Sequence, residues 1–141
     1  MSGFLLDTNV ISELVKPRPE PKVVSWIEEI DENVLYLSVL TLGEIRKGVA
    51  LLPQSARRTE LESWLESDLQ LRFSKRILSI DGSVADRWGN LAGLALKDGH
   101  RLSVVDGLLA ATAIHHNLTL VTRNIGDTAA TGVAVFNPWQ A

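Results

Sequence analysis

The stretch "GFLLDTN", residues 3–9, sets Phe4, Leu5 and Leu6 directly before Asp7, Thr8 and Asn9. A short unbroken apolar run suits a strand buried on both faces. A carboxylate at the end of such a strand is costly inside a protein unless it is hydrogen-bonded, paired or protonated. Asp7 therefore either caps a following helix at an open strand end or awaits a positive partner.

Outward from this point, short apolar runs alternate with amphipathic stretches. Residues 3–7 read as a strand and Asn9 to Val15 as a short helix, stopped by the Pro17, Pro19 and Pro21 cluster. Residues 22–31, with Val23, Val24, Trp26 and Ile27, predict a second helix, and "VLYLS", 34–38, a second strand. Leu42, Ile45, Val49 and Leu52 recur at helical spacing up to Pro53. Leu61, Trp64, Leu65 and Leu69 mark one face of a charged helix over 55–72. "ILSI", 77–80, is a third strand, and Val84, Trp88, Leu91, Ala92 and Ala95 give a helix ending near Gly99. Residues 104–116 form an Ala-rich helix, apolar almost all round, which predicts deep burial. "LTLVT", 118–122, and "VAVFN", 133–137, complete five strands.

Strands interleaved with helices predict an α/β fold, a parallel five-stranded sheet flanked by helices, in a single domain over 1–141. In open sheets of this kind ligands bind beyond the carboxyl ends of the strands, where Asp7 falls.

Composition is ordinary for a globular chain: 141 residues, 45% apolar and 22% charged, enough to bury a core. With no cysteine, a disulfide scaffold, thiol catalysis and Cys-based metal sites are excluded. That usage suits a reducing compartment. No apolar run reaches the ~20 residues that span a membrane, and no basic region precedes a long apolar one at the N-terminus. The expected location is cytoplasmic, without membrane contact. The net charge of −3 does not announce a nucleic-acid binder.

Four acids each have an ordinary structural explanation. Asp7 fits a helix cap or Asx turn. Thr41-x-x-Glu44 fits a capping box, and Ser103-x-x-Asp106 repeats the pattern, with a first-turn acid favoured by the helix dipole. Asp127, after Asn124 and Gly126, reads as a turn acid. Jointly they say more, because in a parallel sheet all four can converge on one edge. Carboxylates so gathered repel and must take up protons or bind a cation. Oxygen-only ligands point to Mg²⁺ or Mn²⁺. Asp81, ending "ILSID", is read as a turn and cap instead. His115 and His116, adjacent on a helix, point about 100° apart and are not read as a joint chelate. Trp26, Trp64 and Trp88 fall on apolar helix faces and read as core.

The blocks "LLDTNVISEL", "LTLGEIRKGVALLP", "VVDGLLAATAIHHNLTLVTRNIGD" and "GVAVFNPW" resemble a PIN-domain protein, in particular the VapC-type toxins of bacterial toxin–antitoxin pairs and their FitB-like branch. The resemblance runs from Phe4 to Trp139. It implies a metal-dependent endoribonuclease whose acidic quartet falls on Asp7, Glu44, Asp106 and Asp127, with Asn9, Thr122 and Asn124 supporting the site. It also implies a homodimer, restraint by a cognate antitoxin, and operator DNA bound only through that antitoxin. Thr128 departs from the pattern, since the family commonly has an aromatic residue after the fourth acid.

Mg²⁺ or Mn²⁺ at these acids would activate a water for hydrolysis of an RNA phosphodiester. Discounting the four ligands leaves no net negative charge, so Lys16, Arg18, Arg46, Lys47, Arg57 and Arg58 are candidates to meet an RNA backbone. Two alternatives stay open from the residues: another Mg-dependent phosphoryl-transfer enzyme, and a catalytically weak antitoxin-binding module of the same architecture. A dinucleotide-binding domain is disfavoured, since no glycine-rich turn follows the first strand.

Overall fold

A computed structural model describes residues 3–141, and residues 1 and 2 of the expected domain lie outside them. Five strands, β1 (Phe4–Leu6), β2 (Leu35–Ser38), β3 (Ile77–Leu78), β4 (Thr119–Val121) and β5 (Val135–Phe136), form one sheet in the order β3-β2-β1-β4-β5. Every pairing is parallel, with Phe4 aligned to both Leu35 and Thr119. The strand order reverses beside β1, so the crevice between the carboxyl ends of β1 and β4 is the place such sheets use for ligands.

Leu5 and Leu6 explain why this strand reads as continuously apolar. Successive strand side chains point to opposite faces. Leu6 enters a core with Val10, Ile11, Val23, Leu35, Leu37, Phe73 and Val121, whereas Leu5 enters another with Leu109, Ala110, Ala113 and Leu120. Both leucines are fully buried, so helices cover both faces as expected.

The helices are α1 (Thr8–Leu14), α2 (Pro21–Glu29), α3 (Val39–Ala50), α4 (Ala56–Ser63), α5 (Leu69–Arg72), α6 (Gly82–Lys97) and α7 (Val104–His115). Several boundaries differ from expectation for local reasons. β1 stops at Leu6 because Asp7 has turned into the N-cap of α1, its carboxylate accepting from Thr8 N–H. Pro21 opens α2, a first-turn position that needs no N–H. Ser38, not Thr41, caps α3 by accepting from Leu40 N–H, which places Thr41 and Glu44 inside the helix. The Thr41–Glu44 capping box is therefore not formed.

The predicted helix over 55–72 is continuous but holds a π-helical turn at Trp64–Asp68, which keeps Leu65 and Leu69 both buried. Asp81 caps α6 through Val84 N–H, as expected. α7 buries Gly107 and Leu109 through Ala113, bearing out its uniform apolarity. Trp26 packs between Phe4 and Phe136, each ring centroid 5.1 Å away. The His115 and His116 rings do not diverge: they meet edge to face at 4.9 Å, because His116 is already the C-cap of α7. No helix among the described residues is long and apolar enough to cross a membrane.

Candidate active site

Asp7 sits at the sheet's switch point and is half-buried. Its Oδ1 accepts from Thr8 N–H at 2.7 Å, and its Oδ2 accepts from the Thr122 hydroxyl at 2.8 Å. Thr122 closes β4 in the neighbouring position and is itself held from two sides. Its Oγ1 accepts from Asn9 Nδ2 at 3.3 Å and from Asn124 N–H at 3.1 Å. A hydroxyl has two acceptor positions and one proton. With both acceptor positions occupied, the Thr122 proton is directed onto Asp7. Asn9, Thr122 and Asn124 thus form one network around Asp7. Asn9 Oδ1 is buried there without a hydrogen-bond partner.

Glu44 reaches the same place from α3. The Thr8 hydroxyl donates to Glu44 Oε1 at 2.6 Å, and the hydroxyl of fully buried Thr41 lies 3.5 Å from that of Thr8. Thr8 was not singled out in the sequence; its signal is a hydroxyl in the first turn of α1, immediately after an acid. Asp106 arrives from the first turn of α7, where Ser103 Oγ accepts from Asp106 N–H at 3.1 Å. This capping pattern is formed as expected.

Burial pushes the Asp7 carboxyl above its ordinary range, against the lowering effect of its bonds to Thr122 and Thr8; the charges of Glu44 and Asp106 push it the same way as burial. Glu44 and Asp106 therefore both act on Asp7. Asp127 stands further out. It is exposed on a 3₁₀ segment, Ile125–Thr131, and lines a groove together with Asp106. Thr128, where an aromatic residue is common in the resembling family, turns inward to 3% exposure with its hydroxyl unpartnered.

The donor set suits a hard cation, being all oxygen. The unpartnered Asn9 Oδ1 and the strained charge of Asp7 both fit a positive occupant. Among the described residues, however, no three Asp, Glu or His side chains converge tightly enough to form a closed cation cage. Protein hydrogen bonds tie down Asp7 and Glu44, whereas among the described residues none is made by the Asp106 or Asp127 carboxylates. Two acids are fixed and two are left to adjust.

A five-stranded parallel sheet covered by helices on both faces, with Asp7 at its switch point and Glu44 bonded beside it through Thr8, defines an open α/β domain. A family model for the PIN domain matches residues 4–126, and the chain belongs to that family. Among its relatives, Toxin FitB of Neisseria gonorrhoeae is 42% identical over 137 residues, covering 97% of this chain and 99% of that protein. The VapC ribonuclease Y4jK of Sinorhizobium fredii is 36% identical over 137 residues, 97% of this chain and 98% of the relative. A solved structure of FitAB bound to an IR36 DNA fragment superposes with a TM-score of 0.91 at 40% identity, covering 96% of this chain and 95% of that one.

Proposed function

We propose that this protein is the ribonuclease toxin of a toxin–antitoxin pair, hydrolysing RNA phosphodiester bonds with Mg²⁺ or Mn²⁺ held by Asp7, Glu44, Asp106 and Asp127. The observation that carries this reading is the hydrogen-bonded link from Thr122 through Asp7 and Thr8 to Glu44, with Asp106 near enough to raise the Asp7 carboxyl. The relatedness to a toxin and to a VapC ribonuclease over nearly the whole chain supports it. A cognate antitoxin is the expected partner, with operator DNA reached through that antitoxin and a homodimer of this chain as the working unit. The FitAB structure with DNA supports such an assembly.

The chain's own residues set the chemistry. Thr8 N–H and the Thr122 hydroxyl orient Asp7, and the Thr8 hydroxyl orients Glu44. Asn9 and Asn124 fix the Thr122 proton so that this orientation has one solution. Asp106 and Asp127 complete the donor set from α7 and the 3₁₀ segment. A divalent cation held by these four carboxylates would lower the pKa of a water and offset charge building on the phosphate. Hydrolysis forms a new bond from the water oxygen to phosphorus and releases the 3′ oxygen as a hydroxyl, leaving a 5′-phosphate. The chain has no cysteine, and His100 lines the groove that also holds Asp106 and Asp127.

The test is incubation of antitoxin-free protein with structured RNA in Mg²⁺, Mn²⁺ or EDTA, beside Asp7→Asn. Cleavage that requires metal and Asp7 and leaves 5′-phosphates is the expected result. Metal-independent cleavage by both proteins would remove the basis for the reading. Growth inhibition that survives in Asp7→Asn would favour an antitoxin-binding module over a nuclease.

A further inference from the structure

Most of the cations that the sequence offers to an RNA backbone are committed elsewhere. Lys16 Nζ pairs with Glu13 at 2.8 Å, and Arg46 pairs with Glu66 at 2.8 Å. Arg57 donates to the Val15 carbonyl at 2.6 Å, and Arg58 to the Leu52 carbonyl at 2.8 Å, each also lying within 4 Å of a glutamate. Arg72 and Arg76 converge on Glu32, each at 3.0 Å. Arg123 lies over the Trp139 ring, 5.2 Å from its centroid. These side chains hold the fold together and are poorly placed to recruit a polyanion.

Arg18 and Lys47 are exposed and, among the described residues, unpaired, but neither lines the groove that holds Asp106 and Asp127, and Arg101 does. It lies in the connection between α6 and α7 and is exposed. Among the described residues its side chain makes no hydrogen bond, ion pair or ring contact. It nevertheless lines a groove of about 560 Å³ together with Asp106 and Asp127. Gly126, Ala129 and Ala130 line it as well, together with His100, Leu102 and Ser103. Arg101 is the one permanent cation among the groove's lining residues. A guanidinium that shares a groove with two carboxylates and pairs with neither keeps its planar fork of donors, which matches a phosphate.

From these placements we infer that this groove carries the RNA strand past the acids, with Arg101 as its contact to a backbone phosphate. The inference rests on the nuclease reading of the acid site and extends it to the path of the substrate. Asp106 belongs to both features: it acts on Asp7 from one side and lines the groove on the other. A strand lying in the groove is thereby led to the catalytic carboxylates. Bare carboxylates repel phosphate, so the strand needs one fixed positive charge outside the acid cluster, and Arg101 provides it. Gly126, Ala129 and Ala130 present no side chain long enough to read a base edge, so Arg101 supplies the backbone contact and the polar side chains left in the groove to meet a base are those of His100 and Ser103.

The test uses the full chain without antitoxin and two readouts. Cleavage kinetics on structured RNA compare wild type with Arg101→Ala, Arg101→Lys and Arg46→Ala. Binding of labelled oligouridylate is measured in Mg²⁺ for the same substitutions placed on Asp7→Asn. Arg101→Ala is expected to raise KM and Kd roughly tenfold while kcat changes little. It should also reduce the slope of log Kd against log salt by about 0.7, the value for one phosphate contact on a single strand. Arg101→Lys should restore the slope, and Arg46→Ala should behave as wild type. An unchanged Kd and slope in Arg101→Ala would overturn the inference, and with wild-type cleavage intact it would do so without touching the nuclease reading. No cleavage by wild type, with a salt slope that still depends on Arg101, would sink the nuclease reading and leave the groove as an RNA-binding surface.

Discussion

The Thr8 hydroxyl donates to Glu44 Oε1 across 2.6 Å, while the N–H of the same residue donates to Asp7 Oδ1 across 2.7 Å. One threonine at the start of α1 therefore sets the positions of two carboxylates from different elements. Its backbone contact depends only on the helix cap, and any residue keeps it. Its side-chain contact depends on the hydroxyl, and few residues keep that.

Thr8→Val tests the second contact alone, since valine has nearly the same shape and no donor. Glu44 would lose its hydrogen bond while Asp7 kept both of its own. A hydrogen bond to a charged group contributes about 1.5–3 kcal/mol where it is well formed. The Mg²⁺ concentration giving half-maximal cleavage should rise about tenfold, the equivalent of 1.4 kcal/mol. Thr8→Ser should recover most of it. Equal metal dependence in wild type and Thr8→Val would show that the hydroxyl has no hold on the site.

Asp7→Asn should destroy activity and stabilise the metal-free fold. Asparagine keeps the cap through its oxygen, but its amide nitrogen faces the Thr122 hydroxyl proton and loses that bond, which offsets part of the gain from removing the charge. The burial and neighbouring charges that raise the Asp7 carboxyl make its ionised form a cost in the folded state. For a raised carboxyl, stability is fully present below its ordinary value of 3.8 and is lost as pH rises through the folded value. In EDTA, Asp7→Asn should therefore melt above wild type at neutral pH, with the difference shrinking towards pH 3.8. Mg²⁺ should raise the wild-type melting temperature and leave that of the variant nearly unmoved. A wild type that melts above Asp7→Asn throughout in EDTA would contradict the charge argument.

Much of this architecture was legible because apolar runs and helical periodicities are local patterns. "FLLD" announced a strand ending in a carboxylate, and the capping reading of Asp7 holds, its carboxylate accepting from Thr8 N–H. Thr41 shows where local reading fails. Thr-x-x-Glu is a capping pattern, but Ser38 lies at the strand end where α3 actually starts, and only the sheet decides which hydroxyl comes first. Thr8 was missed for a similar reason, since its partner is 36 residues away. The basic residues misled most, because a sequence shows charge without pairing. Arg46, Arg57 and Arg58 look available in the chain, and each is engaged once α3 and α4 pack.

Glu13 offers a pH test of opposite sign. It is 5% exposed, and its carboxylate accepts from Lys16 Nζ at 2.8 Å and from Glu20 N–H at 2.9 Å, tying α1 to the segment that leads into α2. The Lys16 bond holds this carboxyl below its ordinary value, overcoming desolvation, with the Glu20 N–H adding to it. For a lowered carboxyl, stability is present above the ordinary value of 4.5 and is lost as pH falls through the folded value. Glu13→Gln should lower stability at neutral pH by about 1–2 kcal/mol. The gap to wild type should close under acid, as read by urea unfolding at a series of pH values. A gap that stays constant with pH would assign the loss to packing.

Gly107 tests how the third acid is held in place. It follows Asp106 in α7, and a Cβ added there would lie 2.8 Å from both Cδ1 and Nε1 of Trp88 and 3.1 Å from Leu102 Cδ2. Trp88 belongs to α6, so glycine at this position allows an indole edge to rest directly on the backbone of α7. Those contacts are closer than a methyl tolerates, and the indole is a rigid ring whose only escape is to move α6 away from α7. Gly107→Ala should cost about 1–3 kcal/mol through overpacking. Because the displaced backbone is the one that carries Asp106, the metal requirement for cleavage should rise along with the loss of stability. Trp88→Leu removes the ring that the new methyl meets. Combined with Gly107→Ala it should be less harmful than the sum of the two single changes, since residues in contact do not act additively. Simple additivity in melting temperature would mean that the helices adjust to the methyl without pressing on Trp88, and that Asp106 owes its position to the Ser103 cap alone.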